Sequence, residues 1–132
     1  MTLPLITAFY AGLNGLILIW LTANVVRYRR SGRIAMGDNG DPAVAKAIRG
    51  HANAAETMPM MLIMLALAEL IGAPAVAIHV AGGVFTIGRI LHGLHFVGAA
   101  SIKFRMYGMI MTLSAMGLTA LGLTVHALTQ IA

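Results

Sequence analysis

The 132-residue sequence contains no cysteine. That absence excludes a disulfide framework, a thiolate nucleophile and a thiolate metal centre. Any chemistry must use oxygen and nitrogen groups, or a thiol that arrives with a substrate. Charge is nearly as scarce. Asp, Glu, Lys and Arg make up 10% of the chain, where a soluble domain carries roughly 25%. Too few polar side chains remain to cover a water-facing surface. In their place stand 59% apolar residues and a mean hydropathy of +0.86. The chain therefore reads as an integral membrane protein in contact with the lipid bilayer, and its length allows one domain, 1–132.

The few charges are unevenly placed. Arg27, Arg29, Arg30 and Arg33 follow the first apolar run, and Lys103 and Arg105 separate the third from the fourth. Membrane proteins keep such residues on the cytoplasmic side. A nucleic-acid partner is set aside, because these clusters flank apolar runs and no soluble domain accompanies them.

Crossing the hydrocarbon takes about 20 residues as a helix. Four spans are predicted, over approximately 3–27, 42–71, 74–98 and 105–129. The uncharged run Met1–Val26 lacks a basic leader and an obvious cleavage site, so it reads as a retained helix rather than a signal peptide. Residues 27–43 are expected as a loop ending Gly37-Asp38-Asn39-Gly40-Asp41-Pro42. Asp41 suits an N-cap and Pro42 the first helical position. Gly72-Ala73-Pro74 should stop the second helix. Four spans put the basic loops in the cytoplasm and both termini on the opposite side. Ala11, Gly15, Ser114, Gly117 and Gly122 offer points of close helix approach, unless they only reflect the small residues common in membrane helices.

The second helix is not a plain anchor. Its first half carries Lys46, Arg49, His51, Asn53 and Glu56. Arg49, Asn53 and Glu56 are spaced i, i+4, i+7 and share one stripe. Arg89, His92 and Phe96 form a stripe on the third helix at similar depth. Two guanidinium groups can each hold a carboxylate bidentately, Glu56 can hold an ammonium group, and Asn53 can donate and accept. The set suits a zwitterionic ligand with more than one carboxylate; alternatively, Glu56 only neutralises Arg49 or Arg89 within the bundle. His92 and His95 have a spacing that can bind metal, but no second ligand pair accompanies them, so no metal is expected. Glu69 falls at the outer end of the second helix, where a solvated helix end accounts for it. The ten methionines fill packing gaps or line an apolar site.

Three stretches carry a resemblance. Met36–Pro42 is followed by Arg49, His51, Asn53, Glu56 and Pro59; Gly88-Arg89-Ile90-Leu91-His92 lies on the third helix; Arg105-Met106-Tyr107-Gly108 opens the fourth. Over nearly its whole length the chain resembles the MAPEG family, the membrane-associated proteins in eicosanoid and glutathione metabolism, and in particular its bacterial-type members. The resemblance implies an all-α four-transmembrane-helix bundle, a homotrimer, and an inner-membrane location. It implies glutathione as co-substrate, bound between subunits near the cytoplasmic face by Arg49, Asn53, Glu56 and Arg89, with His51 and His92 nearby. His51 lies on a different face from Asn53, which leaves it for the adjoining subunit's site. Arg105, with Lys103 second, is the cation expected to stabilise the glutathione thiolate. That thiolate would attack a hydrophobic electrophile or reduce a lipid hydroperoxide. Two positions depart from the family's enzymes, which often carry Tyr where this chain has Thr57 and Phe96. Phenylalanine cannot donate a hydrogen bond. A non-catalytic binding or scaffold protein of the same fold therefore stays open. A small multidrug transporter is a remote third reading, since the first helix lacks the carboxylate such a protein needs.

Overall fold

Four α-helices carry the chain: α1 Leu5–Ser31, α2 Pro42–Leu70, α3 Ala75–Phe96 and α4 Ile102–Ile131. The computed structural model describes residues 3–131. Each helix is long and apolar enough to cross a membrane, so the all-α membrane fold expected from the sequence is the one observed. At 1.5 Å per residue α1, α2 and α4 reach about 40–45 Å and α3 about 33 Å, against a hydrocarbon core of about 30 Å.

The turn chemistry starts α2 where it was expected. The Asp41 carboxylate accepts from the N–H of Ala43 at 2.8 Å and of Val44 at 3.3 Å, with Pro42 at the first position. Two other boundaries differ from expectation. α1 does not end at residue 27 but continues through Arg27, Arg29 and Arg30 to Ser31. Cations in a last turn favour the helix, because they face its negative end. The chain then breaks after Gly32, and φ turns positive at Arg33. α4 begins at Ile102 rather than near 105, so Lys103 joins Arg105 in its first turn.

α2 and α3 form the centre of the bundle, each touching the other, α1 and α4, while α1 and α4 do not touch among the described residues. The core joins Tyr10, Ile17 and Leu21 of α1 to Met58, Met61 and Leu65 of α2, Phe85 of α3 and Ala115 of α4. α3 and α4 cross almost backbone to backbone. A Cβ on Gly108 would stand 2.5 Å from the His92 nitrogen and 2.6 Å from the Gly88 carbonyl oxygen. Gly15, Gly117 and Gly122, considered above as contact points, meet no atom within 4 Å of a Cβ position. The close approach belongs to Gly88 and Gly108 instead.

At the far end of the bundle Glu69 does more than end a helix. Its carboxylate accepts from the backbone N–H of Ile6 at 2.9 Å and of Thr7 at 2.7 Å. α1 has no side-chain cap of its own. A carboxylate from α2 thus meets the unpaired donors and the positive end of α1.

Candidate functional site

Arg89 is the deepest charge in the molecule, 1% exposed. It reaches from α3 to both neighbours. Its Nε donates to Thr112 Oγ1 at 3.0 Å, and one terminal nitrogen donates to Asn53 Oδ1 at 2.8 Å and Thr57 Oγ1 at 3.3 Å. The other terminal nitrogen lies 3.8 Å from Met109 Sδ, and the guanidinium sits 5.9 Å from the Phe85 ring centroid. Both threonines can present lone pairs because their own protons go elsewhere. Thr112 donates to the Gly108 carbonyl at 2.8 Å and Thr57 to the Asn53 carbonyl at 2.9 Å. Burying a charge is tolerable when such fixed dipoles replace its water. No carboxylate reaches Arg89 among the described residues.

The stripe Arg49, Asn53, Glu56 divides between two faces. Asn53 turns inward to Arg89, whereas Arg49 pairs with Glu56 at 3.3 Å on the outside, with side chains 62% and 56% exposed. Glu56 is the central residue of the 29-residue α2. Three residues on, Pro59 lacks an N–H and so leaves the Ala55 carbonyl without its helical donor. An ion pair and a freed carbonyl halfway along a membrane-spanning helix need more than lipid for company.

At the same end of the bundle, Phe96 of α3 is buried against Gly50 of α2, where a Cβ would come within 2.5 Å of it. His92 and His95 pack on that ring, with centroids 4.8 and 5.2 Å away. The His95 Nδ1 also lies 3.3 Å from the Ala100 carbonyl oxygen. The exposed Arg105 places its guanidinium 5.6 Å from the Phe96 centroid. Lys103 and Arg105 stand at the positive end of α4, where cations oppose the helix dipole. That arrangement leaves a field suited to an anion.

The family model for the MAPEG family matches residues 7–125. The chain belongs to the MAPEG family. It is also 37% identical over 93 residues to the "Inner membrane protein YecN" of Escherichia coli (strain K12), an alignment covering 69% of this chain and 71% of that protein. The protein of the same name from Escherichia coli O6:H1 matches to the same extent.

In this MAPEG chain the residues singled out from the sequence gather at the basic end of the bundle in two layers. Asn53, Arg89 and His92 are buried. Arg49, Glu56 and Arg105 are exposed. His51 is half-buried on the other side of α2 and does not join them. Sequence reasoning missed Thr57 and Thr112 as partners of Arg89. Thr57 was legible: it lies four residues after Asn53 on one stripe, and a buried cation needs neutral oxygens. Thr112 was not, because only the α3–α4 crossing brings it to Arg89.

Proposed function

We propose that this protein is a glutathione-dependent membrane enzyme, a transferase or peroxidase, working as a homotrimer in the inner membrane with its basic loops cytoplasmic. The observation that carries the reading is the exposed Arg49–Glu56 pair, whose carboxylate stands at the midpoint of a membrane-spanning helix. A charged group against lipid costs roughly 2.5–3.5 kcal/mol on insertion scales. A neighbouring subunit and a hydrated pocket beside it remove that cost. Glutathione, with two carboxylates and an ammonium group, is complementary to Arg49, Glu56 and Arg105, while the half-buried His51, on another face of α2, serves the adjoining subunit's site. Behind them, Arg89 holds Asn53 in place and His92 backs Phe96. Membership in a family that includes glutathione-dependent enzymes supports the same ligand.

In this reading Arg105 stabilises the thiolate. A free thiol has a pKa of about 8.5, and a nearby cation lowers it. The thiol proton leaves to water, and the sulfur attacks an electrophilic carbon dissolved in the bilayer, forming a C–S bond as that carbon's leaving group departs with its electron pair or, at a conjugated alkene, as the C=C π pair shifts and is protonated from water. With a lipid hydroperoxide, two glutathione molecules give the disulfide, the lipid alcohol and water. A pocket opening toward the basic end of the bundle and bordered by apolar helix faces would meet both partners, one soluble and one apolar.

One observation favours a second reading, binding without turnover. Phe96 offers no hydroxyl, and Arg105 stands over its ring. The test uses purified protein in detergent. Adding glutathione should produce thiolate absorbance near neutral pH that Arg105→Ala abolishes. Glutathione bound without thiolate, and inert toward a panel of electrophiles and hydroperoxides, selects the second reading. Absence of glutathione binding overturns both forms of the site.

A further inference from the structure

The chain has ten methionines and no cysteine, so thioethers are its only sulfur. Met36, Met60 and Met106 are exposed, and Met58 and Met61 are buried in the core. Met64, Met109, Met111 and Met116 lie half-buried on membrane-spanning helices. Among the described residues, only the Met109 sulfur has a hydrogen-bond donor beside it, the Arg89 Nη2 at 3.8 Å. Met109 also stands between Arg105 and Thr112 on one stripe of α4, which runs from the basic end to the buried guanidinium.

Arg89 is supplied unevenly. A guanidinium carries five N–H donors. The Nε group and the two N–H groups of Nη1 are taken up by oxygens of Thr112, Asn53 and Thr57. Nη2 has two N–H groups and meets only the thioether, a weak acceptor. One edge of a charge that is 1% exposed is therefore short of acceptors. Oxidation of a thioether to a sulfoxide replaces that weak acceptor with a polar S=O group. On Met109 the new oxygen falls within hydrogen-bonding reach of Nη2. Elsewhere in an apolar core the same oxygen finds no donor and disrupts the packing.

We propose that Met109 is an oxidative modification site, where a hydroperoxide delivers one oxygen atom to the thioether and Arg89 holds the resulting sulfoxide. A sulfur lone pair attacks the outer oxygen of the peroxide. The S–O bond forms, the O–O bond breaks, and the departing oxygen takes the hydroperoxide proton and leaves as an alcohol. The hydroperoxide is reduced by two electrons and the sulfur is oxidised by two. The S–O bond is dipolar with its negative end on oxygen, and the Nη2 donors already face that end as it forms. The sulfoxide gives Arg89 a fourth oxygen and adds a tie between α3 and α4 beside Thr112. The step consumes no glutathione, so it does not rest on the thiol chemistry proposed above.

Fragment mass spectrometry localises each added oxygen. Protein in phosphatidylcholine vesicles, without glutathione, is exposed to a fatty-acid hydroperoxide carried in the bilayer. Met109 should gain its oxygen about tenfold faster than Met64, Met111 and Met116, the low end of what a hydrogen bond to a charged group supplies. Arg89→Lys keeps the charge but loses the fork, and should bring Met109 down to the rate of those three. A second arm leaves Arg89 untouched. Glutamine resembles methionine in length and carries a carbonyl oxygen close to where the sulfoxide oxygen would stand. Met109→Gln should keep or raise the unfolding midpoint in detergent, whereas Met116→Gln, with no donor to meet, should lower it. This arm decides the matter if Arg89→Lys does not fold. Oxidation of Met109 no faster than that of the other three overturns the proposal, as does an advantage retained in Arg89→Lys. A midpoint lowered as far by Met109→Gln as by Met116→Gln overturns it as well.

Discussion

Arg89 and Glu69 answer one problem with opposite charges. Each is an ionisable group on a membrane-spanning helix, and neither pairs with an opposite charge among the described residues. Arg89 lies inside and takes three oxygens from α2 and α4. Glu69 lies at the far rim and takes two backbone donors from α1. In both, fixed dipoles from a neighbouring helix stand in for water, so the charge ties helices together. The ion pair Arg49–Glu56 is different, because it sits on the surface and its members hold only each other. Charges satisfied by the fold serve the fold; the exposed pair is left for a ligand or a neighbour.

The comparison is broken most severely at Arg89. Arg89→Met removes three hydrogen bonds and leaves buried Asn53 without its partner, a loss of about 2–4 kcal/mol. Arg89→Lys should recover only part of it, since one ammonium group cannot span Thr112 and Asn53 as a planar fork does. Thermal unfolding in detergent measures both. A midpoint unchanged in Arg89→Met would mean that Arg89 is not a structural tie.

Gly108→Ala tests the geometry that brings Thr112 to Arg89. The added methyl meets backbone atoms rather than a flexible side chain, so α3 and α4 must separate, at about 1–3 kcal/mol. Gly117→Ala is the control, as it meets nothing within 4 Å. If the Gly117 variant loses stability as much as the Gly108 variant, the crossing point has been misassigned.

At the rim the expected effect is smaller. Glu69→Gln keeps an oxygen acceptor for Ile6 or Thr7 but loses the charge facing the positive end of α1. Helix-end charges of this kind contribute about 0.3–1 kcal/mol. Hydrogen exchange at the first turn of α1 should quicken, while the α2–α3 core stays protected. Exchange unchanged at that turn would return Glu69 to a merely solvated helix end.

Much of this arrangement was legible beforehand. Span number followed from hydropathy, and the start of α2 from Asp41 and Pro42, because both depend on local chemistry. The depth shared by Asn53 and Arg89 followed from helical spacing. What did not follow was the direction of each side chain. Arg49 and Asn53 lie four residues apart on one stripe, yet only the packing of α3 decides that Asn53 turns in and Arg49 out. Glu69 was read as a helix end because its partners, Ile6 and Thr7, are more than 60 residues away in sequence. The glycines misled for the same reason: spacing on one helix does not reveal which neighbour it meets.

The smallest effect on stability should accompany the largest effect on binding. Arg49→Ala and Glu56→Ala each remove one side of an exposed pair, and such pairs contribute roughly 0–1 kcal/mol. Unfolding midpoints should therefore move little, in contrast to Arg89→Met. Glutathione affinity should fall, because each variant deletes a charge complementary to one of the peptide's own. A hydrogen bond to a charged group contributes roughly 1.5–3 kcal/mol, about 10- to 150-fold in affinity by the usual conversion. Calorimetric titration with glutathione reads that loss directly. The double variant supplies the sharper measurement. If Arg49 and Glu56 bind separate groups of one ligand, their effects on affinity should be large singly and nearly additive together. If they act only on each other, either single change should do the whole damage and the second should add nothing. The second pattern would move Arg49 and Glu56 from the ligand to the fold, beside Arg89 and Glu69.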